Sequence, residues 1–199
     1  RAYEIHKWVQ PLLEKCGFKA PPEAVHEDGG QYKLALLGFH RDASSLLYNL
    51  TQNDPDLVRE TLVVDFNVAL HADIRETGAT VKYGDLANPE TLHHLGLNRC
   101  QVIVCTIPDD LLRGIDNRSL VHVVREMAPQ AAIISNAIAI DEIHKVYEAG
   151  ADYVYLNRFE AAWTLQRAIL AGIEQQIDVF RNDRQSRNHY SPVRKEILS

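Results

Sequence analysis

The stretch Lys33-Leu34-Ala35-Leu36-Leu37-Gly38-Phe39-His40-Arg41-Asp42-Ala43-Ser44-Ser45 decides the fold. Four consecutive apolar residues, Leu34 to Leu37, suit a strand covered on both faces. Beyond Gly38, residues Ala43, Leu46, Leu47 and Leu50 recur at helical spacing, so the segment reads as strand, tight turn, helix. Such a junction attracts anions. The first N–H groups of a helix lack intrahelical partners and carry partial positive charge, worth roughly 0.3–1 kcal/mol to a nearby anion.

Gly38 to Ala43 approximates the dinucleotide fingerprint G-x-G-x-x-G/A, with the first glycine and the terminal alanine in place. His40 stands where the second glycine would let backbone approach a pyrophosphate. A plain βα turn would give the same pattern, and both readings stay open at this point. A second apolar run, Leu62-Val63-Val64, ends in Asp65, about 20 residues beyond the turn, where an acid that binds a ribose 2′-OH is expected. Arg41 at the turn's mouth has the planar fork that matches phosphate or carboxylate oxygens, the other reading being a surface ion pair with Asp42 or a neighbouring acid. His40 lies where a phosphate would pass, so its protonation would make the site pH-sensitive.

From Lys33 onward strand and helix patterns alternate. Strands are predicted near 33–38, 61–66, 80–83, 101–106, 131–135 and 152–156, and helices near 43–53, 68–77, 89–95, 116–127, 138–148 and 158–180. This is α/β: a Rossmann-type doubly wound, six-stranded parallel sheet. Ligands of such sheets bind beyond the carboxyl ends of the strands, where Gly38, Asp65, Gly84-Asp85 and Thr106 all fall. Asp85 suits either an adenine amino group or the cap of a helix starting at Pro89; Asp65 suits a ligand or a cap after Asn67. Asp109-Asp110 reads as a solvated turn rather than a metal site, and His93-His94 face different ways.

A net charge of −6 argues against nucleic acid as a partner. A hydrophobic fraction of 46% and a charged fraction of 24% over 199 residues are those of a globular domain, and no run approaches the length needed to span a bilayer. Cys16, Cys100 and Cys105 lack C-x-x-C spacing and read as reduced, mostly buried thiols. The chain opens on Arg1 and its one methionine is Met127, which reads as a piece of a longer protein.

Outside the alternation, Ile5, Trp8, Val9, Leu12, Leu13 and Cys16 form a helical stripe, and 17–31, with Pro21-Pro22 and Gly29-Gly30, reads as a linker. The expected divisions are thus 1–31, 32–180 and 181–199, the last polar and mobile. Over 158–180 a stripe of Ala162, Leu165, Ile169, Ile173, Ile177 and Phe180 outruns the sheet it can cover, as helices that pack on a partner chain do, the other reading being packing on the same domain.

The series Gly38-Phe39-His40-Arg41, Val63-Val64-Asp65, Tyr83-Gly84-Asp85 with Pro89-Glu90-Thr91-Leu92, Val102 to Asp110 and Ala149-Gly150-Ala151-Asp152 resembles the RCK domain, also called TrkA-N or KTN. These are Rossmann-type regulatory domains of potassium channels and monovalent cation/proton antiporters. The likeness covers roughly 33–175, and Trp8 to Leu13 resembles the linker helix that follows the membrane transport domain of such antiporters. The resemblance implies a non-enzymic module at the cytoplasmic face of the membrane, a homodimer through the Rossmann domain and the helix near 158–180. It implies a sensor of an adenine nucleotide, NAD(H) or AMP-like. Carried over by position, Gly38, Phe39, His40 and Arg41 would meet phosphate, Asp65 with Phe66 the ribose, Gly84, Asp85 and Leu86 the adenine region, and Thr106 with Ile107 the far wall. The family pattern is departed from at His40 and in the long gap from Asp110 to Asn117.

Two other classes use such a sheet. A small NAD-dependent oxidoreductase needs an acid/base beside the nicotinamide, yet the sole Tyr-x-x-x-Lys spacing, Tyr3 to Lys7, precedes the first strand. An S-adenosylmethionine methyltransferase would want a seventh, antiparallel strand where the helical pattern of 158–180 stands.

Overall fold

The structure, a computed structural model, describes residues 32–187 and 194–198; the predicted helix over 3–16, the linker and Cys16 lie outside them. Six strands form one parallel sheet: β1 (Leu34–Leu37), β2 (Thr61–Asp65), β3 (Thr80–Tyr83), β4 (Val102–Cys105), β5 (Ala132–Asn136) and β6 (Tyr153–Tyr155). Their order is β3-β2-β1-β4-β5-β6, which reverses between β1 and β4, and every pairing is parallel. The expected doubly wound sheet is therefore present, and its switch point lies at the end of β1.

Residues alternate between two cores. Ala35, Leu37, Leu62, Val64, Ile103 and Ile133 pack against α4 (Pro89–His93), α5 (Asn117–Met127) and α6 (Ile140–Glu148). Leu34, Leu36, Val63 and Val81 pack on the other face against α1 (Arg41–Asn53), α2 (Pro55–Arg59) and α3 (His71–Glu76). Cys100 and Cys105 are buried free thiols, pushed by burial up to about 11 and about 12, so neither is a reactive thiolate at neutral pH.

The described residues cover the second face over only part of its width. Val102, Val104, Ile134 and Tyr155 line an open groove of about 720 Å³, walled by Ser45, Leu46, Asn49 and Leu50 of α1. A doubly wound sheet would ordinarily lay its last helix there. Instead α7 (Asn157–Ile173) buries no residue, leaving Trp163 64% and Ile173 74% exposed.

The single helix predicted over 158–180 is two. Gln175 has φ 60°, the Gln176 N–H donates to the Ala171 carbonyl at 2.7 Å and the Gln175 N–H to that of Gly172 at 3.1 Å, a left-handed stop after which α8 (Ile177–Arg187) begins. Apolar spacing runs across this break because both helices carry the same kind of face, so the pattern did not mark the stop. The tail also differs from expectation. Residues 181–187 are helical, and 194–198 rest on α1.

Gly150-Ala151-Asp152, the last motif of the sequence pattern, has a structural job. Gly150 has φ 114°, and a Cβ there would meet Arg125 Cγ at 2.9 Å. Asp152 Oδ2 accepts from the Ile133 N–H at 2.7 Å and from Arg125 Nη2 at 2.6 Å, fastening α5 to the start of β5. The Ile133 N–H, followed by Arg125, holds the Asp152 carboxyl below its usual range. A group depressed in the folded state stabilises above its unfolded pKa and loses that contribution as pH falls through the folded one. Asp152→Ala is expected to cost roughly 1–3 kcal/mol at pH 7. Thermal melts should show the gap between parent and variant closing as the pH falls below about 4.

Candidate functional site

The site is built from the end of β1. Gly38 has φ 81°, its N–H donates to the Val64 carbonyl at 2.8 Å, and a Cβ there would fall 2.1 Å from Ile107 Cδ1. A side chain would be strained by the left-handed backbone and would strike Ile107 as well. Two neighbouring strands then hold the turn. The Phe39 N–H donates to Asp65 Oδ2 at 2.7 Å across from β2, and Thr106 Oγ1 donates to the Gly38 carbonyl at 2.8 Å from the end of β4. Phe39 itself drops into the core.

Asp65 is 2% exposed. Its second oxygen accepts from the Asn67 N–H at 2.7 Å, and His71 Nε2 lies 3.1 Å from its backbone carbonyl. Burial pushes its carboxyl up, opposed by the Asn67 and Phe39 N–H groups and by the His71 ring. Asn67, not Asp65, caps the following single turn, Val68–Leu70.

His40 is the N-cap of α1 with φ −128°, extended backbone open to any residue, so this turn does not require the fingerprint's second glycine. Among the described residues the His40 side chain caps nothing, and the first N–H groups of the 13-residue α1 have no side-chain partner. Arg41 is exposed at that end and makes no ion pair among the described residues. The alternative reading, a pair with Asp42, is not what forms; Asp42 instead accepts from Asn157 Nδ2 at 2.9 Å.

Across the crest, a Cβ on Gly84 would meet Val64 Cγ1 at 2.4 Å, which lets the end of β3 lie close to β2. Asp85 is exposed and turns back on the Ala87 N–H at 3.0 Å; Asn88 caps α4, so the capping role considered for Asp85 falls to its neighbour. Leu86 is buried, whereas Phe66 stands 65% exposed beside the crest. Gly38, Phe39, Asp65, Thr106 and Ile107 thus form one bonded knot, Gly84 abuts it, and His40, Arg41, Phe66 and Asp85 sit on its rim.

Sequence reading missed the polar bracket beneath the far wall. Asn117 Nδ2 donates to the Ile107 carbonyl at 2.9 Å and to Asn136 Oδ1 at 2.7 Å, while Asn136 Nδ2 donates to the Thr106 carbonyl at 3.0 Å. The Asn117 N–H donates to Asp109 Oδ1 at 2.6 Å, which ties down the long 107–116 loop. Burial, opposed by that N–H, holds the Asp109 carboxyl above its usual range. A signal was available: Asn136 closes an apolar strand, where an amide persists only if it is bonded. Among the described residues no cluster of His, Cys, Asp or Glu has the arrangement of a metal site.

The TrkA-N domain pattern matches residues 34–157, from the first residue of β1 to the first of α7. The chain belongs to the TrkA-N domain family. It is 27% identical over 185 residues to the glutathione-regulated potassium-efflux system protein KefC of Enterobacter sp. (strain 638), covering 85% of this chain and 27% of KefC. It is 28% identical over 130 residues to the putative cation/proton antiporter YbaL of Escherichia coli (strain K12), covering 65% of this chain and 22% of YbaL. This TrkA-N chain therefore spans about a quarter of the length of the curated relatives it matches. The crystal structure of the YbaL TrkA-N domain from E. coli superposes with a TM-score of 0.60 at 25% identity, covering 70% of this chain and 97% of that one. A GsuK channel structure bound to NAD shares the fold at a TM-score of 0.54 and 20% identity, covering 75% of this chain and 26% of that one.

Gly38→Ala is expected to destabilise the TrkA-N domain by about 2–4 kcal/mol, combining left-handed strain with overpacking. Because the clash is with one flexible side chain, Ile107→Ala should relieve part of the Gly38→Ala cost in a double-mutant cycle read by urea unfolding.

Proposed function

We propose that this TrkA-N chain is the ligand-sensing, regulatory part of a potassium or other monovalent cation transport protein, with no catalysis of its own. It binds an adenine nucleotide, NAD(H) or AMP-like, at the crest between β1 and β2. One observation carries the reading: the uncapped start of α1 is held beside Asp65 by the Phe39–Asp65 hydrogen bond. Uncapped N–H groups and the Arg41 guanidinium suit phosphate. Each Asp65 oxygen keeps acceptor capacity beyond its one backbone bond, which suits a ribose hydroxyl. The exposed Phe66 ring and Asp85 carboxylate suit the base. NAD in the GsuK structure named above supports this choice of ligand class, as does family membership.

The same chain works as a homodimer. It carries an apolar arm, α7–α8, that no described residue buries, and an apolar groove that this arm does not fill, the two self-complementary surfaces that a twofold dimer needs. Nucleotide binding favours one arrangement of the paired domains, and residues 1–31 pass that bias to a membrane transport domain, with this module at its cytoplasmic face. Its relatives KefC and YbaL support that setting.

A thermal-shift panel of NAD, NADH, AMP, ADP, ATP and S-adenosylmethionine should give its largest rise with an adenine nucleotide, equivalent to about 2.7 kcal/mol at a hundredfold excess over Kd. Arg41→Ala should shrink that rise without lowering the unliganded melting temperature. Turnover of a nicotinamide substrate would overturn the non-enzymic reading. Ile169→Asp, at an exposed position of α7, should leave the monomer's stability unchanged and weaken dimerisation at least about tenfold by sedimentation.

A further inference from the structure

The segment Arg194–Leu198 is bonded along α1. Glu196 Oε2 accepts from Ser45 Oγ at 2.6 Å, Arg194 Nη1 donates to Asn49 Oδ1 at 3.1 Å, and the Leu198 N–H donates to Ser44 Oγ at 2.8 Å. The Arg194 guanidinium lies over the Tyr48 ring, 4.3 Å from its centre, and pairs with Glu196, both side chains only 15% exposed. Ile197 and Leu198 pack on the core cluster that contains Leu34 and Leu47, beside Leu46 and Leu50. Five residues outside any helix or strand make this many specific contacts only where the surface beneath them is shaped for them.

That surface is also a wall of the open groove. Ser45 and Asn49, which hold the segment, line the groove, and so do Leu46 and Leu50. We infer that α1 presents a binding surface for the Arg194-Lys195-Glu196-Ile197-Leu198 segment, and that the docked segment is a latch competing with a second copy's arm for this wall. The inference rests on the dimer reading. The Asn157–Asp42 bond likewise ties the start of α7 to α1 of its own chain. While it is closed, the fraction of chains able to accept a partner's arm falls, and the apparent dimer Kd rises by that fraction.

The full chain and its Glu196→Ala and Ile197→Asp variants test this with two readouts: amide hydrogen exchange at Leu198 and the dimer Kd from sedimentation. The latch predicts a protected Leu198 amide in the parent. Each variant should lose that protection and dimerise at least about fivefold more tightly, the scale of one net hydrogen bond. An unprotected Leu198 amide in the parent would remove the latch. Lost protection with an unchanged or weaker dimer would overturn the competition. If neither parent nor variants dimerise, the dimer reading and the competition both fail, while a protected amide would still identify the α1 surface as the segment's binding site.

Discussion

The hydrogen bond from the Phe39 N–H to the Asp65 carboxylate organises the crest of this molecule. It spans from β2 to the turn after β1, so the second strand's terminal acid fixes where the first helix begins. A buried carboxylate is tolerated only when its oxygens are hydrogen-bonded, and here the Phe39 and Asn67 N–H groups each bond one of them, with the His71 ring nearby favouring the charge. Thr106 closes the turn from the opposite side, and Asn117 and Asn136 brace the strand end from which Thr106 reaches it. The start of α1 is thereby pre-set before any ligand arrives, which lowers the ordering cost of binding.

Much of this was legible in the residues. Leu34 to Leu37 and Leu62 to Val64 are apolar without alternation because helices cover both faces of the sheet there, Val102 to Val104 carry the same pattern although Val102 and Val104 line the groove, and these runs placed the strands. Gly38 and Gly84 stood out as turn glycines, and the coordinates supply the reasons: Ile107 above one and Val64 beside the other. What escaped reading depends on distant partners. Nothing local in Asn117 says that it will meet Asn136, and nothing in Gln175 says that it will adopt a left-handed stop. The docked tail was hidden for the same reason, since Arg194 and Glu196 read as solvated charges until Tyr48, Ser45 and Asn49 come beneath them.

One helix links these features. α1 starts at the anion-favouring turn, its flank walls the open groove, and both the first residue of α7 and the chain's last described segment are bonded to it. A shift of α1 on ligand binding would be felt at the groove and the arm without passing through the sheet. By contrast, Gly150-Ala151-Asp152 lies at the opposite end of the strands and fastens α5 to β5, so its place in the sequence pattern reflects folding rather than ligand binding.

Amide-resolved NMR titration of the chain with AMP tests the central claim most directly. If the Asp65–Phe39 bond builds a phosphate and ribose crevice, the largest shifts will fall at Phe39 to Arg41 and at Asp65 and Phe66, saturating together. Saturable shifts confined to other strand ends or to the groove, or no shift at Phe39 at millimolar AMP, would contradict it.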